Sequence, residues 1–391
     1  RFCRVSAPQA PYIFLIAGEE SGDQLGFKLM QALRAQRPDV HFSGVGGKGM
    51  MQEGLKSLFA LDDIAVMGFV PVVARLPLLL RRLDETIAAI IAQRPDCLVI
   101  IDSPDFTHRV AQIVRKSNPN IPIINYVSPT VWAWRPGRAK KMRGYVDHLL
   151  ALLPFEPQAH EQLGGPPCTY VGHPLIERFV DLRPNDAERG EREKPRLLLL
   201  PGSRRSEVAR LLPVFREAVA LLVNQIGPIE ALLPAVDRLA NDITRTTRDW
   251  PIPVKILRGE EEKWRAFRTS RAALAASGTV TLELALAQVP MVTAYKVNPL
   301  EAMIARRVLT LTSVILPNII LGENVVPEFL QEECTPQNLS QALVPLMQNG
   351  EARDLQLQAF ARMDDVMQLA GGACPSEKAA AIVLQYAAKA Q

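Results

Sequence analysis

Short apolar runs alternate with helical patterns along most of this chain, and they do so in two series. Runs of about five apolar residues predict buried strands, and their alternation with helices predicts parallel sheets covered on both faces. The first series comprises 12–17, 41–45, 97–101, 122–127, 148–153 and 168–171, and the second comprises 197–202, 229–234, 254–257, 272–277 and 291–297. The sequence therefore predicts an α/β fold with two doubly wound, Rossmann-like domains and a helical C-terminal tail.

The two series are separated by residues 173–196, a stretch rich in charge and proline that is predicted to be a linker. The first domain is then 1–172 and the second is 197–350. Residues 351–391 are predicted to form C-terminal helices. In one possible arrangement these helices pack back on the first domain. Because ligands of open α/β sheets bind beyond the carboxyl ends of the strands, the two domains are expected to face each other across a cleft. Two-domain closing enzymes and hinge-type sugar-binding proteins share this architecture, so the side chains must distinguish them.

Charge and cysteine content argue against several function classes. The chain has 45 basic and 41 acidic side chains, and its net charge of +4 is too small to indicate a nucleic-acid-binding protein. Its five cysteines are scattered without a CxxC motif, which argues against a disulfide framework or a zinc site. No histidines and carboxylates have metal-ligand spacing, so neither a metal nor another cofactor is expected. The scattered cysteines favour reduced thiols and a cytoplasmic location, and the N-terminal segment shows no apolar core of signal-peptide length.

The most apolar stretch, residues 64–82, is interrupted by Arg75 and by two prolines and cannot span a membrane. In one interpretation it lies on a membrane surface, where Arg75, Arg81 and Arg82 reach lipid phosphates. The alternative is a buried edge followed by one amphipathic helix. The pattern by itself favours neither.

Two strand–turn–helix motifs in the second series are suited to bind an anion. In the first motif, Gly202 and Ser203 form the turn and Arg204 follows them. Free backbone N–H groups at a helix start, together with a guanidinium, can hold a diphosphate. The alternative is that Ser203 only caps the helix and that the arginine is solvated.

The second motif has Ser277, Gly278 and Thr279 at its turn, again with amides and hydroxyls for an anion. Glu283 follows Thr279 by four residues on the same helical face, where it can accept hydrogen bonds from the two hydroxyls of a ribose. A surface carboxylate that stabilises the helix N-terminus is the alternative. Because the motif has neither a P-loop lysine nor a GxGxxG sequence, kinase and dehydrogenase functions are disfavoured.

The first series carries carboxylates at the corresponding turns. The turn after the first apolar run contains Glu19, Glu20 and Asp23, which would repel a phosphate. Asp102 directly follows the third apolar run, at the sheet edge where a general base for a sugar hydroxyl would stand. Asp105 is predicted to cap the helix that follows.

A concentrated basic patch comes after the fourth apolar run. It begins with two tryptophans and continues with cations, in the order Trp132, Trp134, Arg135, Arg138, Lys140, Lys141 and Arg143. Aromatic and basic side chains together suit an acidic amphipathic ligand such as a phosphorylated lipid, and a nucleic acid is the competing ligand. His173, at the border of the two domains, is either a core residue or a group in the cleft.

Taken together, the motifs of the chain resemble the lipid A disaccharide synthases, a glycosyltransferase family of the two-domain GT-B class. The resemblance extends from about residue 12 to about residue 385. It rests on AGEESGD (17–23), AVMGFVPV (65–72), IDSPDF (101–106), YVSPTVWAWR (126–135), LPFE (153–156), VGHP (171–174), LLPGSR (199–204), SGTVTLE (277–283), LPNIILG (316–322) and EFLQEEC (328–334).

The resemblance implies an inverting transfer of 2,3-diacylglucosamine from UDP-2,3-diacylglucosamine to the 6-hydroxyl of 2,3-diacylglucosamine 1-phosphate, called lipid X. The products are UDP and a β(1→6)-linked disaccharide. It also implies a metal-independent, peripheral enzyme at the cytoplasmic face of the inner membrane of Gram-negative bacteria. Another GT-B enzyme, a UDP-sugar epimerase or a muramyl-type transferase, is the alternative, followed by a hinge-type sugar-binding protein.

The resemblance assigns roles to the motif residues. Asp102 would accept the proton of the acceptor hydroxyl, and Glu19 would orient the acceptor or act as the rival base. Arg204 would hold the diphosphate together with the amides around Ser203 and Gly278.

The remaining residues divide into a donor side and an acceptor side. Glu283 would bind the ribose, and Asn318 would contribute its side-chain amide to the donor pocket. The other donor-side residues are Gly202, Ser277 and Thr279. The acceptor and lipid side comprises Ser128, Trp134, Arg135, Met67, Arg75, Arg81, Arg82 and His173.

Overall fold

The computed structural model describes residues 10–65, 74–298 and 313–390. These residues divide into two compact units. The first unit runs to Pro174 and resumes at Leu369, and the second is Leu175–Gln368. Each unit is built on a six-stranded sheet whose paired strands are all parallel, which is the predicted α/β fold.

The sheet of the first unit has the strand order β2-β1-β3-β4-β5-β6. Its strands are β1 (Tyr12–Ala17), β2 (His41–Val45), β3 (Cys97–Ile101), β4 (Ile123–Tyr126), β5 (His148–Ala151) and β6 (Cys168–Tyr170). Its helices before residue 174 are α1 (Glu20–Gln36), α2 (Lys48–Gln52), α3 (Leu76–Gln93), α4 (Pro104–Ser117), α5 (Gly137–Met142) and α6 (Glu156–Gln162).

The central strands of this sheet are buried on both faces. Ile13 and Leu15 point into one core cluster, which includes residues of α1, whereas Phe14 and Ile16 point into another, which includes residues of α3 and α4. This alternation is the two-residue period of a strand, and it explains why the runs are apolar throughout. Each fully buried Val, Leu, Ile or Phe side chain stabilises the fold by about 1.5–3 kcal/mol.

The sheet of the second unit has the order β12-β11-β10-β7-β8-β9. Its strands are β7 (Arg196–Leu200), β8 (Glu230–Pro234), β9 (Val254–Leu257), β10 (Ala272–Ala276), β11 (Met291–Tyr295) and β12 (Glu328–Leu330). Its helices are α7 (Phe179–Leu182), α8 (Asp186–Glu191), α9 (Arg205–Ile226), α10 (Asp237–Thr247), α11 (Glu260–Thr269), α12 (Thr279–Leu286), α13 (Leu316–Leu321), α14 (Pro336–Met347) and α15 (Glu351–Met367).

Every apolar run identified in the sequence is a strand, with ends that differ from the prediction by at most two residues. The sequence missed β12 (Glu328–Leu330), whose three residues are only partly buried and include a glutamate. A short edge strand with a charged residue has no continuous apolar run to reveal it.

The stretch 173–196 differs from the predicted linker, because from Leu175 onward it belongs to the second unit. Helix α8 begins with a capping box, in which Asn185 and Glu188 exchange hydrogen bonds between side chain and backbone. Arg192 is only 8% exposed, and its guanidinium donates to four backbone carbonyls, those of Phe267, Arg268, Ala287 and Gln288. A stretch rich in charge and proline predicts a linker, whereas this arginine is buried and its charge is stabilised by four carbonyls.

The C-terminal stretch 351–391 is also divided between the units. Helix α15 belongs to the second unit, where Phe360 and Met363 are buried. The last helix, α16 (Pro375–Ala390), belongs to the first unit and packs against α1 and β3. Only this last helix therefore returns to the first unit.

Candidate active site

Two turns of the first unit approach each other at the carboxyl ends of the paired strands β1 and β3. A Cβ atom built on Gly18 would lie 1.9 Å from the Cβ of Ser103. A side chain at Gly18 would therefore force the two turns apart. The close approach brings Glu19, which follows Gly18, beside Asp102, which precedes Ser103.

Glu19 and Asp102 form a pair of carboxyl groups that two serines hold in place. The Ser21 hydroxyl donates to Oε1 of Glu19 at 2.7 Å and lies 3.5 Å from Oδ2 of Asp102. The Ser103 backbone N–H donates to Oδ1 of Asp102 at 2.7 Å. Asp102 and Ser103 have φ values of 54° and 45°, a region that residues other than glycine rarely adopt. Such local strain is typical of functional turns.

The surroundings of Asp102 alter its acidity. Burial raises the pKa of Asp102, the Ser103 amide opposes this rise, and the neighbouring Glu19 carboxylate adds to it. Two adjacent carboxyl groups resist simultaneous ionisation. Once ionised, a carboxylate with a raised pKa is a stronger base, and it can accept the proton of an alcohol. The pair is therefore suited to general base catalysis on a hydroxyl group.

Asp23, the third acid of the first turn, has a structural role. Its side chain is 5% exposed and accepts hydrogen bonds from the backbone N–H groups of Gly47, Gly49 and Met50 at 2.7, 2.8 and 3.1 Å. Asp23 therefore anchors the start of α2, whereas Glu20 is exposed.

In the second unit, the turn after β7 is closed by a side chain of the helix that follows it. Oε2 of Glu207 accepts hydrogen bonds from the backbone N–H groups of Ser203 and Arg204 at 3.1 and 3.2 Å. Oε1 of Glu207 accepts from the Arg204 guanidinium at 3.1 Å. The turn amides predicted to hold a diphosphate are therefore bonded to Glu207, and their role in the donor site stays a prediction. Arg204 itself keeps 66% of its side chain exposed.

The turn after β10 is open by contrast. Gly278 has a φ of 154°, a Cβ built on it would meet no atom within 4 Å, and Thr279 is exposed. Ser277 differs from its neighbours, because its N–H donates to the Ala294 carbonyl and its hydroxyl to the Val314 carbonyl. Gly278 and Thr279 therefore form the accessible part of this turn, at the positive end of the α12 dipole.

Glu283, one turn into α12, forms an ion pair with a lysine that the sequence did not single out. Nζ of Lys263 lies 2.9 Å from Oε2 of Glu283 and 3.2 Å from Oε1. Burial raises the pKa of Glu283, and Lys263 opposes that rise. Nζ also lies 4.2 Å from the centre of the Trp264 ring. The carboxylate is thus held beside a cation at the base of the open turn.

Comparison with known proteins gives the family of this chain. The sequence profile described as "Lipid-A-disaccharide synthetase" matches residues 13–381. The lipid-A-disaccharide synthase of Nitrobacter hamburgensis is 55% identical over 376 residues, 95% of each chain. That of Rhodopseudomonas palustris strain HaA2 is 53% identical over 96% of each chain. The chain belongs to the lipid-A-disaccharide synthase family.

Solved structures with low sequence identity share the fold. MurG of Acinetobacter baumannii superposes with a TM-score of 0.58 at 12% identity, covering 96% of this chain and 100% of its own. A UDP-GlcNAc 2-epimerase from Neisseria meningitidis, bound to UDP-GlcNAc, gives 0.57 at 10% identity, covering 97% and 100%. The predicted GT-B class is confirmed at the level of fold, and the family match favours the synthase over the epimerase and muramyl-type alternatives.

Asn318 does not provide a free amide in this member of the family. Its side-chain nitrogen donates to the Val326 carbonyl and to Glu328, each at 2.9 Å. Its oxygen accepts from the N–H groups of Val325 and Val326 at 3.1 and 3.0 Å. These bonds fix the loop before β12, and the role of Asn318 in the donor pocket stays a prediction.

Ser128 is bonded within its own loop, and its role on the acceptor side stays a prediction. It is 6% exposed, and its hydroxyl lies 2.8 Å from Nε2 of His160. Nearby, Glu156 accepts a hydrogen bond from the Trp132 indole at 3.2 Å. Burial raises the pKa of Glu156 to about 7. This buried network fixes the start of the basic patch.

Trp134 and Arg135 are presented on the surface. Trp134 is 46% exposed, and the Arg135 guanidinium lies over its ring at 4.2 Å from the ring centre. His173 is partly buried, and burial lowers its pKa to about 4, so that the imidazole is neutral near pH 7. The roles of all three on the acceptor side stay predictions.

Within the apolar stretch 64–82, Met67 lies outside the described residues. Arg82 pairs with Asp63 at 2.7 Å and with Glu85 at 2.5 Å, and its contact with lipid phosphates stays a prediction. Arg75 and Arg81 are exposed. Among the described residues, no helix is both long enough and apolar enough to cross a membrane.

Proposed function

We propose that this chain transfers 2,3-diacylglucosamine from UDP-2,3-diacylglucosamine to the 6-hydroxyl of 2,3-diacylglucosamine 1-phosphate. The observation that most supports the assignment of residues is the Glu19–Asp102 pair, because a partly buried carboxylate with a raised pKa is suited to accept the proton of an alcohol nucleophile. The first unit then binds the acceptor, and the second unit binds the nucleotide of the donor.

In the proposed reaction, Asp102 accepts the proton of the acceptor 6-hydroxyl. The oxygen of that hydroxyl forms a bond to the anomeric carbon of the donor. The bond between that carbon and the diphosphate oxygen breaks on the opposite face, and UDP leaves with the electron pair. This displacement inverts the anomeric carbon and yields the β(1→6) linkage. Glu19 orients the acceptor hydroxyl and keeps the pKa of Asp102 raised.

The donor side of the proposal rests on the open turn after β10. The N-terminus of α12 and the exposed Arg204 guanidinium would stabilise the charge that develops on the diphosphate. Glu283, held by Lys263, would accept hydrogen bonds from the ribose hydroxyls. Gly202 and Ser203 shape the neighbouring turn, whose amides are bonded to Glu207.

The test is to incubate the purified chain with both substrates and to measure disaccharide and UDP. We expect the two products in equal amounts and no UDP release when the acceptor is omitted. UDP release without acceptor would identify a different UDP-sugar enzyme, and sugar binding without any release would identify a binding protein.

We also propose that the start of α3 contacts the cytoplasmic face of the inner membrane. Leu76 and Leu80 are 43% and 47% exposed and lie beside the exposed Arg75 and Arg81, a combination typical of interfacial helices. Replacing both arginines by serine should weaken sedimentation with vesicles that contain phosphatidylglycerol.

The control for the membrane test is the double replacement Lys56→Ser and Lys116→Ser, which removes the same charge from other exposed positions. Equal weakening in both double variants would show a general effect of charge and contradict contact through α3.

A further inference from the structure

A cavity of about 600 Å³ opens on the first unit beside the start of α4. Asp105, His108, Arg109 and Gln112 line one side of it. These residues are spaced three or four apart, so they share one face of the helix. The cavity is within the size range of small-molecule binding sites.

The opposite side of the cavity is formed by the segment that contains the basic patch. Arg135, Arg138 and Lys141 line it, together with Tyr145. Arg138 and Lys141 are three residues apart on α5, whose buried positions are Ala139 and Met142. Local helical spacing therefore directs both cations into the cavity while the rest of α5 packs on the core.

The lining carries an excess of positive charge. Arg138 lies 3.6 Å from Asp105, whose side chain is 94% exposed. Arg109, Arg135 and Lys141 form no ion pair with any residue in the described part of the chain. Clustered cations that are not paired with carboxylates repel each other, and an anion in the cavity would relieve that repulsion.

The floor of the cavity is polar and neutral. Nδ1 of His108 lies 2.9 Å from the Tyr145 hydroxyl, and His108 is 5% exposed. Burial, followed by the nearby Arg138, lowers the pKa of His108 to about 4. The imidazole therefore adds no charge near pH 7, and the net charge of the lining comes from the arginines and the lysine.

We propose that this cavity binds the phosphomonoester of the acceptor sugar and so positions the acceptor for reaction at Asp102. Pro104 on the cavity rim follows Asp102 by two residues, and consecutive Cα atoms are 3.8 Å apart, so the rim begins within about 8 Å of Asp102. Guanidinium groups bind phosphate oxygens in pairs, and several cations match the two charges of a phosphomonoester. The inference rests on the proposed function and adds the phosphate subsite to it.

The experiment compares two double variants of the full chain. Arg109→Gln with Lys141→Gln removes two cavity cations, and Lys56→Gln with Lys116→Gln removes two exposed cations elsewhere on the first unit that do not line the cavity. We expect the cavity variant to raise the KM for the phosphorylated acceptor at least about tenfold, the scale of losing one charge-assisted hydrogen bond, with kcat little changed. The control variant should keep both constants, and thermal unfolding should be similar in the two.

An acceptor with a hydroxyl in place of the phosphate isolates the group that is recognised. We expect the wild-type chain to use it with a high KM that the cavity variant does not raise further. If the KM for the phosphorylated acceptor is unchanged in the cavity variant, or rises equally in the control variant, the inference is wrong.

Two further measurements separate this inference from the proposed function and from a lipid headgroup. Glucosamine 1-phosphate is titrated into each variant by calorimetry, which requires no turnover. Binding that is lost only in the cavity variant supports the phosphate subsite even if no disaccharide is formed. If the cavity variant instead loses binding to phosphatidic acid vesicles while its KM is unchanged, the cavity recognises a lipid headgroup and the inference is overturned.

Discussion

The turns after β7 and β10 differ although their sequences have the same form. In both, a buried strand ends in a glycine-containing turn and a helix follows. The first turn is closed because the third residue of its helix is Glu207, whose carboxylate accepts from the turn amides. The third residue of α12 is Thr281, whose hydroxyl bonds back to the Gly278 carbonyl and leaves the turn open. The third residue of the helix therefore distinguishes the turn whose amides are bonded from the turn that is open.

The turns of the first unit extend this comparison. Those after β1 and β3 present carboxyl groups, and one of their acids, Asp23, is bonded to backbone amides much as Glu207 is. In our proposal, the carboxyl pair Glu19 and Asp102 acts on the acceptor hydroxyl, whereas the open turn near Gly278 binds the donor diphosphate.

The largest effect is expected for Asp102→Asn. Loss of a general base lowers turnover by about 10²–10⁴-fold, and donor binding should persist because the donor contacts lie in the second unit. Steady-state kinetics measure the turnover, and titration with UDP measures binding at the donor site. Asp249→Asn, an exposed control, should be normal. Near-normal turnover in Asp102→Asn would give the role of base to another group.

The same substitution should stabilise the fold near pH 7. The pKa of Asp102 is raised in the folded chain, so folding disfavours its ionised form. The free energy of unfolding therefore falls as pH rises through that pKa and Asp102 loses its proton. A neutral asparagine removes this penalty. Chemical denaturation at pH 7 should therefore show a higher free energy of unfolding.

The next effect is expected for Glu19→Gln. Removing the neighbouring negative charge lowers the pKa of Asp102, so the acidic limb of the kcat/KM profile should move to lower pH. Turnover should fall by less than in Asp102→Asn. Glu20→Gln, at the exposed adjacent position, should leave the profile in place. If the acidic limb of the kcat/KM profile is unchanged in Glu19→Gln, the proposed effect of Glu19 on the pKa of Asp102 is contradicted.

A smaller effect is expected for Gly278→Ala. Its φ of 154° disfavours any side chain, so the turn amides should shift and UDP affinity should fall about tenfold, with roughly 1 kcal/mol of stability lost. Gly350→Ala is a matched control, because Gly350 has a φ of 158°, precedes α15 and also has open space around its Cβ position. If both variants have similar UDP affinity, the diphosphate does not bind at the N-terminus of α12.

The smallest effect is expected for Glu207→Ala. It frees the amides of Ser203 and Arg204 and removes a negative charge near the diphosphate, so UDP affinity should rise by about threefold. Loss of the cap should lower stability by about 1 kcal/mol. Glu217→Ala, exposed on the same helix, should change neither. A large fall in UDP affinity would show that the closed turn is itself part of the nucleotide site.

The sequence predicted the strands well because a strand buried on both faces needs an unbroken apolar run, and such a run is visible without any tertiary information. It predicted the acidic turns for a similar reason, since the residue after a parallel strand reaches the sheet edge. It failed for the segment 173–196, where Arg192 is buried by partners 75 to 96 residues away in the chain. It also did not reveal that the Asn318 side chain is bonded to the loop before β12, seven to ten residues further along.

The sequence also did not indicate the contacts that Lys263 and Glu207 make. Lys263 lies on the helix before β10, twenty residues from Glu283 in the chain, and no spacing rule connects them. Glu207 has an ordinary helical position, and its bond to the Ser203 amide depends on the path of the turn.

The sequence by itself determined the two parallel sheets, the family and the chemical character of each turn, because apolar periodicity and residue type act locally. The tertiary structure decided which of those polar groups are free and which are satisfied by the chain itself. Hydrogen bonds and ion pairs depend on distances below about 4 Å between residues that can be far apart in sequence. Only the folded chain brings Glu19 beside Asp102 and keeps the turn at Gly278 open.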